Sequence, residues 1–372
     1  MPSSTSSSDS GVALMQDGEP GDDPAAAIGP VLRPLPSRNL GTAAVIALIL
    51  FALALGLWEA HWRQFGATPG YRNSDGAWAA QRRRIDNGEG DATVIIGSSR
   101  ALFDIQLPVW ERITGKRPIQ LALEGTAPVF ALEDLADDPA FTGRLVVGVT
   151  PVLFFANFNR RASVLSYFRN ETLSQRASQW LSENSLEQMF AWFDPDFALF
   201  NVLERQPWPA RDGVRVDMDV RKLMVSGPDR ASRMWNKVES DPEYSALART
   251  IWTQVLTRPP PPREISMAVR ESQLQRTAVA VAKLRARGVP VVFVRAPSAG
   301  LWREVERRGF PREQTWDVLL ARSGAPGIHF EDHAELQNLN LPDWSHLAGA
   351  DADRYTEAVL GIIEREDLWK LP

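Results

Sequence analysis

Three short stretches of this chain carry residue types whose spacing suits ester chemistry. In Gly97-Ser98-Ser99-Arg100, a serine pair follows the apolar run 94–97 and precedes a helical pattern. A serine in such a strand-to-helix turn stands at the carboxyl edge of a sheet, where open α/β folds place their ligands. The free N–H groups of the following helix can stabilise a developing oxyanion there. The same pair would serve equally as a simple helix N-cap. In Pro342-Asp343-Trp344-Ser345-His346, an aspartate precedes a histidine by one turn. That spacing lets Asp343 orient the imidazole through Nδ1 and leaves Nε2 free as general base for Ser99. The plainer reading has Asp343 capping a helical turn and His346 packed or solvated. In Leu121-Ala122-Leu123-Glu124-Gly125-Thr126, Gly125 can bring a backbone N–H against a reacting carbonyl oxygen, because no side chain blocks the approach. Its alternative is an ordinary turn.

Other polar residues compete for roles. Arg295 ends the run 291–294 and is a candidate for binding an anionic glycan or phosphate group. It would serve equally as a structural partner of Asp343 or Asp332. Glu331, Asp332 and His333 are contiguous and lack a second cluster, so no metal site is expected. His329 alternates within a strand and is expected to pack, and His333 to hold a surface or supporting place. The run Arg82, Arg83, Arg84 reads as a solvated helix face or a contact with anionic head groups.

The elements that position these residues read as alternating strands and helices. Runs 94–97, 119–123, 145–150, 291–294 and 328–330 are short and apolar, as strands buried on both faces of a parallel sheet are. Helical patterns at 107–113, 272–287, 312–323 and 350–364 separate or follow them. The expected fold is α/β, a five-stranded parallel doubly wound sheet with right-handed crossovers. Residues 155–265 exceed the length of one crossover and are rich in Trp, Phe, Arg and Asn. They are expected to form a large helical insert over the carboxyl ends of the strands, or packed beside the sheet. Some of Trp180, Trp192, Trp208, Trp235 and Trp252 would line a glycan-facing groove or partner contact there, or all five would be buried in helix packing.

Upstream, residues 40–58 contain no charge, and a helix of that length is roughly 28 Å long, close to the hydrocarbon thickness of a bilayer. Trp58 and Trp62 end it, as interfacial aromatics do. The expected organisation is a disordered tail at 1–39, a transmembrane anchor at 40–60, a linker helix at 61–90 and a globular domain at 91–372. Arginines are balanced across the span, so charge does not orient it. The net charge of −5 argues against a nucleic-acid partner, and the absence of cysteine excludes disulfides and thiolate metal sites.

The order of these motifs resembles the SGNH (GDSL-like) hydrolase family over about residues 91–363. The first block corresponds to Gly97-Ser98-Ser99, with Ser98 where the family usually has Asp. The second-block glycine would be Gly125, and the last block matches Asp343 and His346. The third block departs: Gly148-Val149-Thr150-Pro151 stands where the family has G-x-N-D, so either Thr150 would donate a weaker hydroxyl hydrogen bond in place of the Asn that helps hold the oxyanion, or the donor would come from elsewhere. One N-terminal anchor, Gly-Ser-Ser, and Thr-Pro followed by Phe154 and Phe155 are similar to the membrane-anchored SGNH proteins of teichoic-acid D-alanylation and alginate acetylation. The resemblance implies a serine esterase or O-acyltransferase, or a non-catalytic scaffold on the same fold. It implies no cofactor, a carbohydrate substrate, a membrane-bound O-acyltransferase partner, and an inner-membrane location with the domain on the exported side.

Overall fold

The computed structural model describes residues 39–206, 208–209, 212–213, 217–259 and 261–369. The expected tail therefore lies outside the described residues, save Asn39. Two units are distinguished, Met1–Leu55 and Gly56–Pro372. The described part of the first is helical. Its helix, Leu40–Phe65, holds an 18-residue stretch with a mean hydropathy of 2.6 and is long and apolar enough to cross a membrane. The helix continues past the expected end of the anchor, and the expected linker helix is not one element. After Phe65 comes an irregular stretch, then Asp75–Arg84 and a π-turn at Ile85–Glu89.

The second unit is built on five parallel strands: β1 (Thr93–Ile96), β2 (Ile119–Gln120), β3 (Arg144–Gly148), β6 (Val291–Arg295) and β7 (Gly327–His329), in the order β2-β1-β3-β6-β7. Two further strands, β4 (Met224–Ser226) and β5 (Ser232–Met234), pair antiparallel in a sheet of their own. Alternation along the five strands sends side chains to two cores. Val94, Ile96, Leu145, Val147, Val291 and Phe293 face helices Val129–Asp137, Arg263–Ala286 and Trp316–Ser323. Ile95, Val146, Val292 and Val294 face Ser99–Asp104, Leu107–Thr114 and Gly349–Arg365. Continuous apolar strands and helices on both faces are the same fact, because each face must be covered.

The polypeptide between β3 and β6 is less uniform than expected. It holds many short helices and the β4–β5 hairpin, and its last long helix, Arg263–Ala286, is the crossover packed on Val129–Asp137. The hairpin is fastened by Arg230, fully buried, whose guanidinium donates to the Gln120 and Ala122 carbonyls (2.6 and 2.8 Å) and to Asn73 Oδ1. Burial lowers its pKa to about 9.

The arginine run at 82–84 is not a solvated face. Arg82 is buried and bonded to Asp134 (2.9 Å) and Asp138 (2.5 Å), while Arg83 pairs with Glu171 and Arg84 with Glu89. Carboxylates distant in sequence hold Arg82 and Arg83, a pairing that the sequence pattern around them does not display, whereas Arg84 is held by its near neighbour Glu89.

Candidate active site

The site begins with close packing. A Cβ on Gly97 would stand 2.4 Å from Ala101 Cβ and 3.2 Å from Gly148 Cα, and a Cβ on Gly148 would stand 2.6 Å from Ala101 Cβ. Two glycines at the ends of β1 and β3 thus let the helix Ser99–Asp104 seat directly on the sheet. Ser98 precedes that helix with extended backbone, and Ser99 is its first residue. The two serines then part. Ser98 is buried and its hydroxyl shares a 2.6 Å hydrogen bond with Thr150 Oγ1. Ser99 is partly exposed, and its Oγ lies 2.8 Å from His346 Nε2.

His346 comes from the loop between β7 and the last helix, and Asp343 shapes that loop. Asp343 Oδ1 accepts the backbone N–H groups of Ser345 (3.0 Å) and His346 (2.8 Å), which fixes a turn. Oδ2 of the same carboxylate lies 2.7 Å from His346 Nδ1. Trp344 adopts a left-handed backbone between them, with φ 70°, a conformation that costs about 1 kcal/mol or more in a non-glycine residue. Asp343 is fully buried. Burial alone would raise its carboxyl, but the His346 ring and the two backbone donors outweigh it and hold the group below the usual carboxylate range.

Three neighbours complete the enclosure; of these the sequence pointed only to Trp252, as one of five tryptophans, and not to its bond with Asp343. Trp252, on the helix Pro242–Leu256, donates its indole N–H to Asp343 Oδ2 at 3.2 Å. From one turn earlier, Arg249 donates to the Pro342 carbonyl at 2.7 Å. Phe103 meets the His346 ring edge to face at 4.3 Å. Behind the histidine, Asp104 Oδ1 accepts the Leu347 N–H at 3.0 Å. Burial drives the Asp104 carboxyl well above its ordinary value; the Leu347 N–H and Arg100 oppose this, and Asp343 adds to it.

Beneath Ser99 lies a buried charge cluster. Glu306 sits between two arginines: Arg295 Nη2 donates to it at 2.5 Å, and Arg100 Nη2 stands 2.8 Å away as an ion pair poorly aligned for a hydrogen bond. Ser298 adds a donor at 2.6 Å, and Arg100 Nε donates to Ser345 Oγ at 3.2 Å. The cluster ties the helix bearing Ser99 to the loop bearing His346.

The expected residues therefore divide. Ser99, His346 and Asp343 are brought into one hydrogen-bonded line. Gly125 reaches the same sheet edge, because β2 continues past Gln120 with the Leu123 N–H bonded to the Gly97 carbonyl (2.9 Å); its φ of 61° is the left-handed conformation a glycine accepts without strain. Thr150 is near, but its hydroxyl is engaged by Ser98. Arg295 is a correction. It is buried against Glu306 and bonds neither Asp343 nor Asp332, so it is not an exposed anion-binding group. Asp332 instead pairs with Arg312, and Glu331 with Arg303. Nor are the five tryptophans all buried in helix packing. Trp235 is buried with Tyr244, Trp252 is at the site, and Trp180 and Trp208 are exposed. Comparison with known proteins gives no match to a family model and none to a curated sequence.

Proposed function

We propose that this chain is a membrane-anchored serine esterase or O-acyltransferase of the SGNH type, working through an acyl-enzyme on Ser99. The observation that carries the reading is the line Ser99 Oγ–His346 Nε2–His346 Nδ1–Asp343 Oδ2, with contacts of 2.8 and 2.7 Å. Only its first member reaches solvent, which suits a nucleophile backed by a sheltered base.

Each step balances on these residues. Ser99 Oγ attacks the ester carbonyl while its proton passes to His346 Nε2. Asp343 steadies the ring and the positive charge it acquires. The Ser99 and Gly125 N–H groups face the oxyanion. Collapse of the tetrahedral intermediate breaks the bond to the leaving alcohol, which takes the proton from His346. A water, or a glycan hydroxyl, then attacks the acyl-serine by the reverse path and regenerates Ser99. Water gives an esterase, and a glycan acceptor gives a transferase. No cofactor enters this route.

The β2-β1-β3-β6-β7 order accommodates the SGNH reading, with residues 155–265 as its insert and Trp252 as the insert's contribution to the site. The resemblance adds an acylated envelope or exported polysaccharide as substrate, a membrane-bound O-acyltransferase as partner, and a domain on the exported side of the inner membrane. The second reading, a non-catalytic scaffold, is favoured by one observation: Thr150, in place of the family's Asn, has its hydroxyl held by Ser98. Incubation with acyl donors followed by peptide mass analysis separates the two. An acyl group retained on Ser99 is the expected result, and its absence with every donor, in a folded protein, would favour the scaffold.

A further inference from the structure

The segment after β3 exposes a cluster of large apolar side chains that the proposed chemistry does not use. On the short helix Leu199–Glu204, Leu199, Phe200 and Leu203 are 56%, 70% and 46% exposed, and no residue of that helix is buried. Trp208 folds back onto it, its indole N–H donating to the Leu203 carbonyl at 2.7 Å, yet is itself 62% exposed. Met189 is 59% exposed. Single exposed apolar residues need no explanation, but Leu199, Phe200 and Leu203 on one short helix, with Trp208 bonded to it, mark a surface that something covers.

What covers it follows from where the segment is fastened. Trp58 is the last residue of the charge-free stretch, and its indole N–H donates to the Phe197 carbonyl at 3.0 Å. Glu59, the first charge after that stretch, accepts the Ala191 and Trp192 N–H groups at 2.9 and 3.0 Å. Arg63 donates to the Met189 carbonyl at 3.0 Å, and Trp62 stacks on Phe197 with ring centroids 4.8 Å apart. The polypeptide at 189–197 is thus bonded to the residues at which an apolar span gives way to polar sequence. Leu199 is two residues beyond Phe197, within about 7 Å along the chain. A helix that crosses a bilayer ends at the head-group layer, where tryptophans concentrate.

We propose that Met189, Leu199, Phe200, Leu203 and Trp208 rest in the interfacial layer of the bilayer that the helix Leu40–Phe65 crosses. The occupant of this face is lipid, and the segment is a second, peripheral attachment beside the span. Burial of such a face a few ångströms into the head-group boundary is the usual mode of interfacial helices. The inference requires the helix to span a membrane; it does not require the chemistry at Ser99.

The absence of cysteine makes the test clean, since any introduced thiol is the only one. The full chain is reconstituted into phosphatidylcholine–phosphatidylglycerol vesicles with a nitroxide at Phe200→Cys or Leu203→Cys. Leu48→Cys serves as the reference within the span, and Val279→Cys, at an exposed site on the crossover helix, as the reference outside it. Collisional relaxation by oxygen, which partitions into lipid, is compared with relaxation by a water-soluble nickel chelate. The oxygen-to-nickel ratio at 200 and 203 is expected to be several-fold above that at 279 and to approach that at 48. If 200 and 203 behave like 279 while 48 stays oxygen-dominated, the interfacial contact is wrong. If 48 also behaves like 279, the helix does not span and the proposal falls with it. Labels shielded from both reagents would place protein, such as a second copy, on this face and would equally overturn it.

Discussion

Trp252→Phe isolates one hydrogen bond at the site. The substitution keeps an aromatic ring beside His346 and Trp302, whose centroids lie 6.3 and 5.7 Å away, and removes the indole N–H that reaches Asp343 Oδ2 together with the second ring. A hydrogen bond to a charged group contributes about 1.5–3 kcal/mol. At 3.2 Å this one is at the long end of the range, so about 1.5 kcal/mol is the fitting figure. Asp343 keeps its contacts to His346 Nδ1 and to two backbone N–H groups, so the carboxylate stays in place but is less firmly oriented. With about 1.4 kcal/mol per factor of ten, the rate of fluorophosphonate labelling at Ser99 should fall by up to about tenfold. Trp302→Phe is the control, because it loses the same second ring while the Trp302 indole nitrogen has no hydrogen-bond partner among the described residues, so the rate should be nearly unchanged. Labelling rates and thermal melts are measured on both variants. Equal rates for Trp252→Phe and the parent, with matching melts, would refute the role given to this hydrogen bond. So would a loss that only tracks unfolding.

Four further outcomes are expected. Glu306→Ala leaves the buried Arg100 and Arg295 without their shared carboxylate and should destabilise the protein by about 3–5 kcal/mol, read by denaturant unfolding. Ser98→Ala should retain labelling with a stability loss of about 1–3 kcal/mol, because Thr150 loses its buried partner, whereas Ser99→Ala should abolish labelling. His329 is pushed down to about 3 from 6.5 by burial and by Arg295 and Arg312, so the unfolded chain binds a proton that the native one refuses. Stability should therefore fall as pH drops from 6.5 towards 3, by up to about 1.4 kcal/mol per pH unit from this group, and His329→Asn should flatten that decline in pH-dependent melts. Asp343 acts in a lower window. Its depressed carboxyl contributes stability above 3.8 that is lost as pH falls through its folded value, so Asp343→Asn should flatten the decline only below 3.8.

Local patterns revealed more of the site than of its support. Ser99 and the Asp343–His346 pair were legible because a strand-end turn and a three-residue spacing are short-range features. The five strands were legible because both faces are buried, which leaves apolar runs in the sequence. The place of Trp252 at Asp343 was not, although Trp252 was one of five tryptophans singled out, since the bond joins residues 91 apart and nothing near it in sequence marks the contact. Arg295 misled because a charge at a strand end suggests a ligand edge; its partner Glu306 lies on the helix Gly300–Gly309, whose buried face is only Trp302 and Glu306. The β4–β5 hairpin escaped notice because Met224–Ser226 and Ser232–Met234 are three residues each and lack an apolar alternation.

The central claim is that Ser99, activated by His346, is a nucleophile. The most direct measurement is intact-protein and peptide mass analysis of the full chain after exposure to a fluorophosphonate, alongside His346→Ala. One adduct per chain, located on Ser99 and lost in His346→Ala with an unchanged melt, is the expected result. A folded parent protein that acquires no adduct, or one whose adduct lies on Ser98 or elsewhere, would contradict the account.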